Sequence, residues 1–187
     1  MSAALLCLAF AAMLVMTGCN GSADTNAPIG RNMAGPAQTV VIAKSALESR
    51  PKPWVLATPE AAVRSYLDWV SYAYRIAQSE VATPTMSPTQ EVRVDSYVQY
   101  NLESSRLIDQ RLVAITFGKL SVGQTHTIVP AKESWAYRYV SIKAPGGTTI
   151  GGPYTASYDT TYTVVKSHKG SAWVVDAVDV KALGKVK

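Results

Sequence analysis

The hydrophobic period of this chain switches once, near residue 106, and that switch decides what it can fold into. Upstream of it the apolar residues recur at helical spacing. Thr58-Pro59-Glu60 predicts a helix start. The threonine can accept from an exposed N–H, proline suits the first helical position, and glutamate lies at the positive end of the dipole. Val63, Tyr66/Leu67, Val70, Ala73/Tyr74 and Ala77 then mark one face of that helix. It should end before ATPTMSP at 82–88. Ser87-Pro88-Thr89-Gln90-Glu91 repeats the start signal. Val94, Tyr97/Val98 and Asn101/Leu102 continue it, so a second helix should run to about Arg106.

Beyond the switch the period is two. LVAITFGKLSV at 112–122 is β-branched and reads as a strand. THTIVPAKESWAYRYVSI at 125–142 reads as one long strand, with Pro130 marking a bend or bulge. APGGTTIGGP at 144–153 reads as a turn, YTASYDTTYTVVK at 154–166 as a strand, SHKG as a turn, and AWVVDAVDV at 172–180 as the last strand. Two helices followed by a meander of about four strands predict an α+β domain. Its N-terminal helices should pack on one face of an antiparallel sheet.

The chain before Thr58 has a different character. Ala3 to Val15 is apolar throughout, about the length of a signal-peptide core and short of the ~20 residues that span a bilayer. Met16-Thr17-Gly18-Cys19 follows. This stretch resembles the bacterial lipoprotein signal, which implies cleavage before Cys19 and a diacylglycerol on its thiol. It departs from that pattern in one respect, since Met1-Ser2-Ala3-Ala4 carries no Lys or Arg. A plain secretory signal and a cytosolic apolar N-terminus are the competing readings. Residues 19–53, rich in Gly, Ala, Asn and Pro, read as a flexible tether, with VVIA at 40–43 a short apolar patch inside it. The expected organisation is a signal at 1–18, the tether at 19–53, one domain at 54–182 and a basic tail at 183–187. Cys7 and Cys19 are the only cysteines. With one lost in the signal and the other lipidated, the domain has no thiol for a disulfide, a metal or a nucleophile.

The net charge of +5 suggests an acidic partner until it is mapped. Residues 58–180 hold as many Asp and Glu as Lys and Arg, and the excess sits in the tether and tail. A nucleic-acid binder would place it on the folded surface. Basic flexible ends suit weak attraction to anionic lipid head groups, or simple solubility.

The domain itself also resembles a family. TPEAAVRSYLDWVSYAYR, a shorter helix, ESWAYRY, SYDTTYTVVK and SAWVVDAV together look like the NTF2-like superfamily, over roughly 58–180. The similarity is strongest to bacterial extracytoplasmic members and to the related domain of plastid division proteins. It implies a cone, in which the helices cover a curved sheet. That fold hosts isomerases, dehydratases, transport adaptors and inert interaction domains, so it does not choose a function.

Strand alternation sorts the candidate residues. Ala131, Glu133, Trp135, Tyr137 and Tyr139 share one face of the long strand; Tyr154, Ala156, Tyr158, Thr160 and Tyr162 share a face of the next. If these faces point inward, Glu133, Trp135, Tyr137, Tyr158 and Tyr162 form the candidate pocket. Glu133, desolvated among aromatics, could then act as a general base, with Tyr158 or Tyr162 donating to an oxyanion. The structural alternative is a strand glutamate held by cross-strand donors. Asp159, Asp176 and Asp179 lack the spacing of a catalytic pair, and His126 and His168 have no ligand partner in sequence. No metal, cofactor or nucleic acid is expected. The expected function is a lipid-anchored, extracytoplasmic binding or interaction module, non-catalytic, contacting the membrane through Cys19, with an envelope protein as the candidate partner. An isomerase- or dehydratase-like enzyme using Glu133 is the alternative, and a purely structural envelope component the third class.

Overall fold

The computed structural model describes residues 49–143, 147–167 and 170–183. The signal, Cys19, most of the tether with VVIA, His168 and the last four tail residues lie outside the described residues. The order is α1 (Pro59–Ile76), a 3-10 helix (Ser79–Thr85), α2 (Pro88–Glu103), β1 (Arg106–Phe117), β2 (Ser121–Val122), β3 (His126–Ser141), β4 (Thr149–Lys166) and β5 (Trp173–Ala182). The sheet is antiparallel throughout, in the order β1-β3-β4-β5, with β2 also pairing with β3. This is the α+β architecture expected from the period switch.

Both helix starts form as their residues dictate. Thr58 Oγ1 accepts from the Ala61 N–H at 3.2 Å, and Ser87 Oγ from the Gln90 N–H at 3.3 Å. α1 ends where Ala77 turns left-handed. The segment around ATPTMSP then winds into the 3-10 helix, an element the sequence pattern does not announce. Ser87 N–H donates to the Val175 carbonyl at 2.9 Å, which ties the start of α2 to β5.

Three boundaries differ from expectation. α2 stops at Glu103 rather than Arg106, because Ser105 adopts a left-handed φ of 56° and reverses the chain. β1 therefore opens at Arg106, six residues before LVAITF. β4 opens at Thr149, inside the stretch read as a turn. Pro130 causes no break either. In extended backbone a residue's N–H and C=O point to the same side. The Pro130 carbonyl accepts from the Gly118 N–H, so its missing donor faces residues 118–120, where β1 has ended and β2 has not begun.

The bulges lie elsewhere. Val113 is the extra residue on β1, between Leu112 opposite Trp135 and Ala114 opposite Ser134. β4 carries one between Tyr154 opposite Tyr137 and Gly151 opposite Tyr139. Gly152, with φ of 100°, sits in that bulge, where a Cβ would come within 3.1 Å of Arg138 and of the Tyr137 carbonyl. Such bulges bend a strand and strengthen its twist. The helices cover the face carrying Val129, Ala131, Glu133, Trp135, Tyr137 and Tyr139, all buried.

Residues 50–57 lie along α1. The Lys52 carbonyl accepts from Trp69 Nε1 at 3.1 Å, and Val55 exchanges hydrogen bonds with the Ser65 hydroxyl. Trp54 meets Trp69 edge-on at 5.3 Å, and the Arg50 guanidinium lies 5.2 Å from the Trp69 ring centre. The last tether residues thus contact the domain.

Candidate functional site

Between the two helices and the inner face of the sheet lies a cavity of about 160 Å³. α1 contributes Tyr66, Leu67, Val70 and Tyr74, and α2 contributes Gln90, Arg93, Val94 and Tyr97. Both sets have the spacing of a single helical face. The five residues singled out by strand alternation, Glu133, Trp135, Tyr137, Tyr158 and Tyr162, all line it. Ile108 and Gln110 of β1, Tyr139 of β3, and Val178 and Val180 of β5 complete the wall.

Glu133 is 5% exposed, and each of its carboxylate oxygens accepts from a ring donor. Trp135 Nε1 donates to Oε2 at 2.8 Å, and the Tyr162 hydroxyl donates to Oε1. The two rings come from adjacent strands. Burial raises the Glu133 pKa above the ordinary carboxyl range, while the hydrogen bonds from Tyr162 and Trp135 work against the shift. The Thr160 hydroxyl lies close enough to lower it too, yet stays outside hydrogen-bond geometry and is buried without a partner among the described residues. Tyr162 is almost fully buried, and burial together with the neighbouring Glu133 carboxylate raises its phenol pKa. It is therefore protonated and committed to the acid.

Sequence reasoning missed the helical side of the site. Gln90 is 5% exposed and its Nε2 donates to the Tyr66 hydroxyl at 2.7 Å. The signal was present, since Gln90 falls on the face of α2 marked by Val94 and Tyr97. Burial raises the phenol pKa of Tyr66, and that of Tyr97 is pushed up to about 12. Arg93 is exposed at the rim, with its guanidinium 3.5 Å from Gln90 Oε1.

The other titratable candidates stay apart. Asp159 pairs with Lys132 at 3.5 Å on the outer face. His126 is exposed and within 3.2 Å of the Thr125 hydroxyl. Among the described residues, no group of three or more His, Cys, Asp or Glu gathers as metal ligands would, and no helix is long and apolar enough to cross a membrane.

A comparison with protein-family models finds no match, and neither does a comparison with curated proteins. In three dimensions the chain is similar to the crystal structure of the intermembrane space region of the chloroplast protein ARC6. The TM-score is 0.55 at 18% identity, over 71% of this chain and 100% of that one. At that identity the likeness concerns the fold.

Proposed function

We propose that this chain is a lipid-anchored binding module on the extracytoplasmic face of a membrane. Its NTF2-like domain takes an apolar group into the cavity and performs no chemistry on it. The observation that carries this reading is the state of Glu133. A general base needs an oxygen directed at a substrate proton. Both oxygens of Glu133 are instead held by Trp135 and Tyr162. The same contact removes Tyr162 as an oxyanion donor. What remains in the cavity is a wall of tyrosine rings and aliphatic side chains, with Gln90, Gln110 and Arg93 among its polar groups, a mixed lining of the kind small-ligand sites have. The anchor is proposed on the Met16-Thr17-Gly18-Cys19 boundary, and the compartment follows from it rather than from the likeness to an intermembrane-space region.

Two measurements test the proposal. Wild type should partition with membranes, while Cys19→Ala should be released or accumulate as precursor; equal membrane association in both, with no lipid mass on the N-terminal peptide, removes the anchor. In the purified protein, α-methylstyrene should shift the Trp135 indole N–H resonance, and Val180→Trp, which fills the cavity, should abolish the shift. No shift in wild type removes the binding reading.

One observation favours the enzymatic alternative. Glu133 lines the cavity with a raised pKa, as a general base would. Turnover of a small carbonyl compound by wild type, lost in a well-folded Glu133→Gln variant, would decide for it.

A further inference from the structure

Arg93 of α2 lines the cavity and is exposed, so its side chain stands where the cavity opens to solvent. Two neighbours place the guanidinium on the cavity side of the helix. Gln90 is buried and its Nε2 is committed to the Tyr66 hydroxyl at 2.7 Å, which leaves Oε1 to accept from Arg93 Nη1 at 3.5 Å. Tyr66, which also lines the cavity, feels the charge, since Arg93 works against the rise that burial gives its pKa. The contact with Gln90 is long and uses one of the several N–H donors of a guanidinium. No carboxylate among the described residues pairs with Arg93. The nearest acids in sequence, Glu91 and Asp95, lie two positions to either side on α2 and so do not face it. They accept from Thr83 and Ser79 of the 3-10 helix at 2.6 Å each. Arg75 and Arg138, by contrast, share Asp109. The mouth of a largely apolar cavity thus carries a cation without a counter-charge.

Resting on the binding reading above, we propose that the cavity takes a ring-sized apolar body bearing one carboxylate, and that the carboxylate stays at the rim, paired with the Arg93 guanidinium. The size follows from the volume. An apolar protein cavity of roughly 150 Å³ holds benzene, and this one is about 160 Å³. The carboxylate follows from Arg93, because its two oxygens match the guanidinium fork and accept two parallel hydrogen bonds. A single negative charge follows from the lining, where Arg93 is the one Lys or Arg among the described residues. The head group must stay outside. Deeper in, Glu133 keeps both oxygens on ring donors, and an ionised group beside it would lose its hydration with no buried counter-charge in return. At the rim it keeps part of its water and gains the arginine.

Phenylpropionate and phenylpropionamide share a ring and a linker and differ in carboxylate against amide, so their relative affinity isolates the charge. Both are titrated into the purified full chain and into Arg93→Gln, with binding followed at the Trp135 indole N–H. α-Methylstyrene, which has no head group, reports on the cavity alone. Wild type should prefer the acid. The ratio of acid to amide affinity should fall about fivefold in Arg93→Gln, the upper range for an ion pair open to solvent. In wild type the ratio should also fall as salt is raised. If acid and amide bind and the ratio is the same in wild type and Arg93→Gln, the assignment of Arg93 is overturned while the binding reading stands. The same holds if α-methylstyrene binds wild type and the acid does not. If none of the three binds wild type, both fall. Should Arg93→Gln fail to fold, the salt titration decides, and a ratio that salt leaves unchanged overturns the pairing.

Discussion

Trp135 Nε1 donates to the carboxylate of Glu133 at 2.8 Å, although the two residues lie on the same strand with only Ser134 between them. Side chains two apart on a strand share a face. The indole must therefore lean back along β3 to reach the acid, and the Tyr162 hydroxyl closes the arrangement from β4. Three buried groups become mutually dependent, and none can be changed alone at little cost.

Glu133→Ala leaves two buried donors unpaired. Each is worth ~1–3 kcal/mol, so urea denaturation should show a loss of at least ~2 kcal/mol. Glu133→Gln keeps one acceptor and turns an amide N–H toward the other donor, so its loss should be smaller. Equal stability of the alanine variant and wild type would refute the buried network.

The raised pKa of Glu133 has a defined effect on pH dependence. The folded state holds this proton to a higher pH than the unfolded chain, whose value is near the ordinary glutamate value of 4.5. The contribution of a raised acid is complete below the unfolded pKa and is lost as pH rises through the folded one. The stability of wild type relative to Glu133→Gln should therefore decline from about pH 4 upward until the folded pKa is passed. A difference that grows with pH would mean that the hydrogen bonds outweigh burial.

Asp109 ties three elements together, accepting from Arg75 of α1 at 3.0 Å and from Arg138 of β3 at 2.8 Å. All three side chains are partly exposed, and such pairs are worth ~0.2–1 kcal/mol each. Asp109→Asn should cost about 1 kcal/mol in dilute buffer, and less in concentrated salt as screening removes the difference. A salt-independent loss would point to packing rather than charge.

The segment before α1 should add measurable stability. A chain begun at Trp54 should still melt cooperatively, because Val55 keeps both hydrogen bonds to Ser65. It should be about 1 kcal/mol less stable than one begun at Ser49, having lost the Lys52–Trp69 hydrogen bond and the Arg50–Trp69 contact. Identical melting of the two would show that residues 49–53 add nothing.

The pocket was half legible in the sequence, and the two halves differ for a physical reason. A strand exposes its plan through a period of exactly two residues, so Glu133, Trp135 and Tyr137 could be placed on one face with Tyr158 and Tyr162 opposite. What alternation cannot show is where a bulge resets the register. Val113 and Gly152 each do this, and neither interrupts the apolar pattern around it. On the helices, the apolar stripes marked the buried side, and Gln90 lies on it at helical spacing from Val94 and Tyr97, but the pattern named no partner for its amide. Its burial depends on Tyr66, a partner 24 residues away that only the fold brings near. The 3-10 helix escaped notice because Thr and Pro in ATPTMSP read equally well as a loop. The left-handed turn at Ser105 was hidden similarly, since serine does not advertise a positive φ as glycine does.

The segment at 49–57 runs antiparallel to α1. Ser49 meets Arg75 near the end of the helix, Lys52 meets Trp69, and Val55 meets Ser65 toward its beginning. A pull arriving from upstream therefore meets these contacts one after another, not all at once. The Arg75 contact lets go first, the Ser65 pair later, and the bond from the Trp173 N–H of β5 to the Leu56 carbonyl last. Fully freed, the nine residues 49–57 can span at most ~3.3–3.6 Å each, about 30 Å in all. Only then does the load reach Thr58 and the first turn of α1. The segment is in effect a mechanical fuse, yielding in small steps while the sheet and its cavity keep their shape.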